Sequence, residues 1–237
     1  MISVDGVEGL SVGDLPGAGI ADPGRVHGWF CDLDEEESGT AALSLLSPAE
    51  QARAATWRRE RDRRRFVARC AFVRRVLGSL VRRPAETLVF RPGRCGKPYL
   101  AGGAERDGDD GRALTFSLSH SENILGLAVT FGREVGMDLE VVRPIEDPLA
   151  IAMTHFAPES VEVFRSRPAG DRVLAFYRLW TRNEAFAKMQ GRGLECRHAH
   201  EQPTIARWAL RSFTFTQHGS TIVGAFAVEE VPRAARR

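Results

Sequence analysis

The sequence predicts an α+β (α/β) fold made of two similar halves, each a long helix packed on a small, mostly antiparallel sheet. Three observations predict it. Two long stretches, 61–80 and 171–189, carry apolar residues at helical spacing. Each is accompanied by short β-rich runs bounded by turn residues. The last such run, Ile222 to Val228, repeats the pattern of Ile124 to Val129, as a pseudo-twofold duplication would.

Taken in order, "RVHGWFCDL" reads as a first strand. Ser47 precedes Pro48 and is followed three residues on by Glu50, the signature of a capped helix start. In "RDRRRFVARCAFVRRVLGSL", Phe66, Cys70, Val73, Leu77 and Leu80 form the apolar side, and Arg63, Arg64, Arg69, Arg74 and Arg75 are expected on the surface. "ETLVFRP" reads as a strand, "GRCGKPYL" as a turn, and "LTFSLSH" with "ILGLAVTF" as a strand pair. "VGMDLEVVRP" is a strand, a helix opens near Pro158, and the long second helix follows. "ARWALRSFTFTQ" and "STIVGAFAVEE" close the chain as a strand pair. The expected organisation is a poorly ordered leader over 1–24, halves over 25–134 and 135–230, and a tail over 231–237.

Composition bounds the function. The chain has 237 residues, 43% hydrophobic and 27% charged, with a net charge of +2, as in an ordinary soluble protein. That excess is too small to argue nucleic-acid binding. Cys31, Cys70, Cys95 and Cys196 form no C-x-x-C pair, so neither a zinc site nor a disulfide framework is expected, and a reduced, cytoplasmic compartment fits. The N-terminus lacks the basic and apolar regions of a secretory signal, and no apolar run is long enough to span a membrane.

Three groups of residues have chemistry in them. Alternation along Val135 to Val141 places Asp138 and Glu140 side by side on one face. They form either a site for a hard divalent cation, Mg²⁺ most naturally, or a solvated acidic edge. Glu184 and Lys188 lie one helical turn apart, as a surface ion pair or as ligands to something else. Lys188 is one of two lysines against thirty-one arginines. A surface pair would tolerate arginine, whereas a compact ammonium approaches a phosphate closely. The third group is anion-seeking: the arginine helix, Lys97 in "GKP", and Ser119 and His120 in "LSHS". Singly, these are ordinary turns and solvated faces.

In order, "GKPYL", "FSLSHS", "VGMDLE", "HFAPES" and "LWTRNEAFAKMQGRGL" resemble the Sfp-type 4′-phosphopantetheinyl transferases over about residues 50–228. The resemblance implies a monomer with coenzyme A bound in a cleft between the halves. It implies transfer of the phosphopantetheine arm onto a serine of an apo acyl or peptidyl carrier protein, with release of 3′,5′-ADP. It implies that Asp138, Glu140 and Glu184 hold Mg²⁺, that Lys188 meets the phosphate under attack, and that Asp138, Glu184 and Lys188 are the catalytic group. Lys97, Ser119, His120 and an arginine of 63–65, with Arg64 preferred, would hold the adenosine end and its 3′-phosphate. Gly191 and Gly193 match the family's glycine turn.

Two positions depart from the family pattern: Asn183 replaces the usual lysine before Glu184, and Ser117 replaces a common asparagine. The first leaves open an alternative, a catalytically impaired protein that binds coenzyme A or a carrier. A nucleic-acid module on the arginine helix is a third reading, which the near-neutral charge disfavours. No membrane partner is expected. The carrier-facing surface is expected around 145–170, with Phe156, Val161 and Phe164 as apolar contacts; fatty-acid, polyketide and peptide carriers all remain open.

Overall fold

A computed structural model of the chain describes residues 10–12, 25–93, 96–102, 113–191 and 208–230. The first half contains strands β1 (Leu10–Val12) and β2 (Val26–Asp32), helices α1 (Thr40–Ser44), α2 (Pro48–Ala55) and α3 (Glu60–Val81), and strands β3 (Phe90–Pro92), β4 (Pro98–Leu100), β5 (Leu114–Ser121) and β6 (Ile124–Phe131). The second contains β7 (Val135–Val141), helices α4 (Pro148–His155), α5 (Pro158–Arg165) and α6 (Arg172–Met189), and strands β8 (Trp208–Gln217) and β9 (Ser220–Glu229). The protein is of the α+β class.

Local chemistry starts the helices where the sequence marks them. The Ser47 hydroxyl accepts from the Glu50 amide while Glu50 accepts from the Ser47 amide, and Pro48 takes the first turn. α5 likewise begins at Pro158. α4 was not anticipated: its residues are mostly apolar, so no amphipathic period marks it, and the Asp147 carboxylate caps it through the Ala150 amide.

Two sheets carry the fold. The first has the order β1-β2-β6-β5 and the second β7-β9-β8. In both, a strand preceding the long helix pairs with the second strand of a later hairpin, whose first strand lies on the outside. Leu10–Val12, inside the expected leader, pair in parallel with β2. The expected boundary at 134/135 falls between β6 and β7, which belong to different sheets; the tail at 231–237 lies outside the described residues.

The layers follow from side-chain alternation. Trp29, Leu125, Leu127 and Phe116 pack on Phe72, Val76, Leu77 and Leu80 of α3. The opposite face, with Phe30, Ile124 and Ala128, packs on Met137, Leu139, Phe213 and Phe226 of the second sheet. The far face of that sheet, with Ala225 and Ala227, meets Ala185 and Met189 of α6. The order is α3, first sheet, second sheet, α6.

Several expectations change. Arg74 is not on the surface but 1% exposed. Its guanidinium is paired with Glu50 at 2.6 Å and donates to the Ala85 and Leu88 carbonyls, so the charge is matched where it is buried. "ETLVFRP" contributes only Phe90–Pro92 as strand, since Ala85–Thr87 turn as a short 3₁₀ segment, and "PYL" pairs with it as β4. Phe156, Val161 and Phe164 are buried against Phe176 in one cluster with Trp180, which removes them as carrier contacts. The exposed apolar side chains of this region are Ile151, Met153 and Val163.

Candidate functional site

Gly136 decides how α6 meets β7. A Cβ placed there would lie 1.9 Å from the Ala185 carbonyl oxygen and 2.2 Å from the Met189 amide nitrogen. Without it, the helix backbone rests directly on the strand. Alternation puts Asp138 and Glu140 on the same side as Gly136. The four-residue period of α6 brings Glu184 and Lys188 over them.

Lys188 Nζ donates to Asp138 Oδ1 at 2.8 Å and to Ser119 Oγ at 3.0 Å, with a longer bond to the Leu118 carbonyl. Ser119 Oγ donates to the same Asp138 oxygen at 2.8 Å. Asp138 is 5% exposed and Glu184 6%, so neither forms a solvated edge or rim. Glu140 is half-buried, and its Oε2 accepts from Ser121 Oγ at 2.6 Å.

Burial pushes the Asp138 carboxyl above the ordinary carboxylate range, against the opposing pull of Lys188 and Ser119. Burial also raises Glu140, Ser121 works against it, and the charges of Asp138 and Glu184 add to the rise. Glu140 therefore senses both other carboxylates in a partly buried space. Asp138 Oδ2 is buried with no hydrogen-bond partner. An all-oxygen donor set with one bare carboxylate oxygen fits a hard divalent cation. As the side chains stand the three carboxylates are not drawn tightly together; among the described residues the acidic–histidine group whose ligand atoms lie within 4.8 Å of one another is Asp32, Glu35 and His218, elsewhere in the fold. There His218 bridges the two carboxylates at 3.2 and 3.0 Å.

The residues expected at the adenosine end do not share one place. Ser119 and His120 are neighbours on β5 and point to opposite faces. Ser119 joins the Asp138–Lys188 cluster. His120 faces a cavity of ≈ 160 Å³ lined with Trp57, Arg65, Phe66 and Arg69. Arg64 lies outside that lining, with its Nε on Ser38 Oγ. Arg65 is held by Asp34 at 2.5 Å, and Arg69 lies over the Phe66 ring. Burial first, then Arg69 and Lys188, holds His120 below its ordinary value.

Lys97 lines a second cavity of ≈ 370 Å³ with Pro98, Tyr99, Leu114, Phe116, Met189 and Gly191. Its Nζ donates to Glu134 at 2.7 Å and to the Val135 carbonyl at 2.9 Å. Gly191 ends α6 with φ +63, as glycine allows, and Gly193 lies outside the described residues. Asn183 is exposed beside buried Glu184.

Sequence reasoning missed Gly136, Arg69 and the seam serine Ser121. The period-2 pattern of "FSLSHS" carries a signal for the serines, since it sets three hydroxyls on one face.

The family model described as the 4′-phosphopantetheinyl transferase superfamily matches residues 134–235. The chain is 36% identical over 171 residues to 4′-phosphopantetheinyl transferase HetI of Nostoc sp., covering 72% of this chain and 70% of that protein. It is 36% identical over 118 residues to 4′-phosphopantetheinyl transferase AcpT of Salmonella typhimurium, covering 49% and 56%. To 4′-phosphopantetheinyl transferase Sfp of Bacillus subtilis it is 25% identical over 172 residues, covering 72% and 71%.

Proposed function

We propose a chemistry for this chain from the premise that it belongs to the 4′-phosphopantetheinyl transferase superfamily and is a transferase. The substrates are coenzyme A and an apo acyl or peptidyl carrier protein. A carrier serine oxygen forms a bond to the pantetheine-side phosphorus, and the bond from that phosphorus to the bridging pyrophosphate oxygen breaks. The products are the modified carrier and 3′,5′-ADP.

Asp138, Glu140 and Glu184 hold Mg²⁺ in this reading; once bound, the ion neutralises pyrophosphate charge and stabilises the leaving oxygen. The Lys188–Asp138 contact, beside a buried Asp138 Oδ2 that has no hydrogen-bond partner, carries the proposal. Lys188 presents a compact charge to the phosphate under attack. Glu184 takes the serine proton, directly or through one water. In-line displacement at phosphorus needs mainly positioning and charge neutralisation, which this cluster supplies.

The adenosine end lies along β5. Lys97 and the apolar wall of its cavity serve one part, and His120 with Arg69 or Arg65 serves the 3′-phosphate. Exposed Ile151, Met153 and Val163 on α4 and α5 replace the buried Phe156, Val161 and Phe164 as carrier contacts. The shared connectivity of the two sheets supports a repeated unit with the cleft at their junction, and division into halves at 134/135. Among the described residues no helix is long and apolar enough to cross a membrane, and Cys31 and Cys70 are free thiols. The free thiols suit a reducing, cytoplasmic compartment.

The test is incubation with coenzyme A, Mg²⁺ and several apo carriers, read by intact mass. Attachment of the phosphopantetheine arm and appearance of 3′,5′-ADP are expected. No mass gain on any carrier would overturn the reading.

A further inference from the structure

β5 and β7 are edge strands of different sheets, yet they lie together. Edge amides facing a neighbour must find acceptors. Here serine hydroxyls supply them. Ser117 Oγ accepts from the Met137 amide at 3.0 Å, and Ser121 Oγ accepts from the Val141 amide at 3.1 Å. Ser117, Ser119 and Ser121 recur at the two-residue period, so all three face β7.

We infer that Ser121 is a positioning residue for Glu140, fixing the carboxylate's orientation from the opposite sheet. The inference rests on the metal reading above. The Val141 amide occupies a lone pair of the Ser121 hydroxyl and leaves its hydrogen for Glu140 Oε2, 2.6 Å away. That distance falls in the charge-assisted range. Glu140 has more rotatable bonds than Asp138 and is less buried, so it needs the tie more. With Oε2 held, its other oxygen is the one left to a cation. Ser119 stands in the same relation to Asp138, but it also meets Lys188 and is not a clean probe. Ser117 bonds only backbone in this seam and, among the described residues, no carboxylate, which makes it the matched control.

The experiment compares Ser121→Ala, Ser121→Thr and Ser117→Ala. Mn²⁺ binding is measured by electron paramagnetic resonance without coenzyme A, beside the Mg²⁺ concentration for half-maximal transfer. Loss of an outer tie to a metal ligand weakens affinity about 10–100-fold. Ser121→Ala is expected to show that weakening in both measurements, Ser121→Thr to restore the parent values, and Ser117→Ala to lower the melting temperature without changing metal affinity. Ser121→Ala should have no further effect on metal affinity in a Glu140→Gln background. Equal metal affinity in Ser121→Ala, Ser117→Ala and the parent would overturn the inference, as would failure of Ser121→Thr to restore it. Should Ser121→Ala not fold, Ser121→Cys carries the same comparison, because a thiol donates weakly. Parent-like Mn²⁺ binding in Asp138→Asn would instead sink the metal assignment itself, whatever the serine variants do.

Discussion

Lys188 Nζ lies 2.8 Å from Asp138 Oδ1, an ion pair that ties α6 to β7 at the point where the two sheets meet. Asp138 brings a nearly buried carboxylate to it, and Lys188 brings a side chain 31% exposed. The lysine thus reaches from the protein's interior towards solvent. In the proposed chemistry it holds Asp138 in place and exchanges its long bond to the Leu118 carbonyl for one to phosphate.

Replacing that charge tests its role. Lys188→Met is expected to lower kcat/KM by about 10²-fold or more, the usual effect of removing one donor to developing charge. Lys188→Arg should recover only part of this, since a planar fork cannot place one compact charge against Asp138 and Ser119 together. The rate of carrier mass gain measures both. A parent-like rate in Lys188→Met would exclude the phosphate role.

Gly136→Ala should disrupt the site without altering any polar group. Its Cβ would press on the Ala185 carbonyl and the Met189 amide, both backbone, so α6 must lift. Overpacking of this kind costs about 1–3 kcal/mol or more. A lower melting temperature and a loss of transfer are expected together. Full transfer in a stably folded Gly136→Ala would show that close packing of α6 is not needed.

His120 titrates below its ordinary value because burial, Arg69 and Lys188 all disfavour its charged form. It is therefore neutral at pH 7 in the protein alone. An adjacent phosphate raises it, so binding of coenzyme A should take up a proton and tighten as pH falls through the complex's value. Tightening stops once the free protein is also protonated. Calorimetry in buffers of different ionisation enthalpy reads the uptake, and dephospho-coenzyme A should show less of it. Equal proton uptake for the two ligands would remove His120 from the 3′-phosphate.

Asn183→Lys should matter little. Residue 183 is exposed, and an exposed charge contributes about 0.2–1 kcal/mol, which corresponds to at most a few-fold in kcat/KM. A gain well beyond ten-fold in the carrier assay would show that the missing lysine is a major handicap.

Local signals were legible because they act within a few residues. The capping box of Ser47 and Glu50, the periods of α3 and α6, and both hairpins depend on neighbours in sequence. α4 escaped because an almost wholly apolar segment has no polar face to set its period. Arg74 escaped because nothing adjacent to it announces the Glu50 carboxylate or the Ala85 and Leu88 carbonyls that make its burial affordable. Arg64 and Arg65 cannot be told apart by composition; helix rotation puts one on Ser38 and the other in the cavity with His120.

The residues proposed to carry the chemistry, Asp138, Glu140, Glu184 and Lys188, stand out in the sequence itself. Strand and helix periods assign each pair to one face, and the scarcity of lysine singles out Lys188. Only the tertiary structure decided that those two faces meet, because the contact depends on a missing Cβ at Gly136 and on hydroxyls from another sheet. It also gave Ser119 and His120 different surroundings, because the second sheet and α6 pack on one side of β5 and α3 on the other.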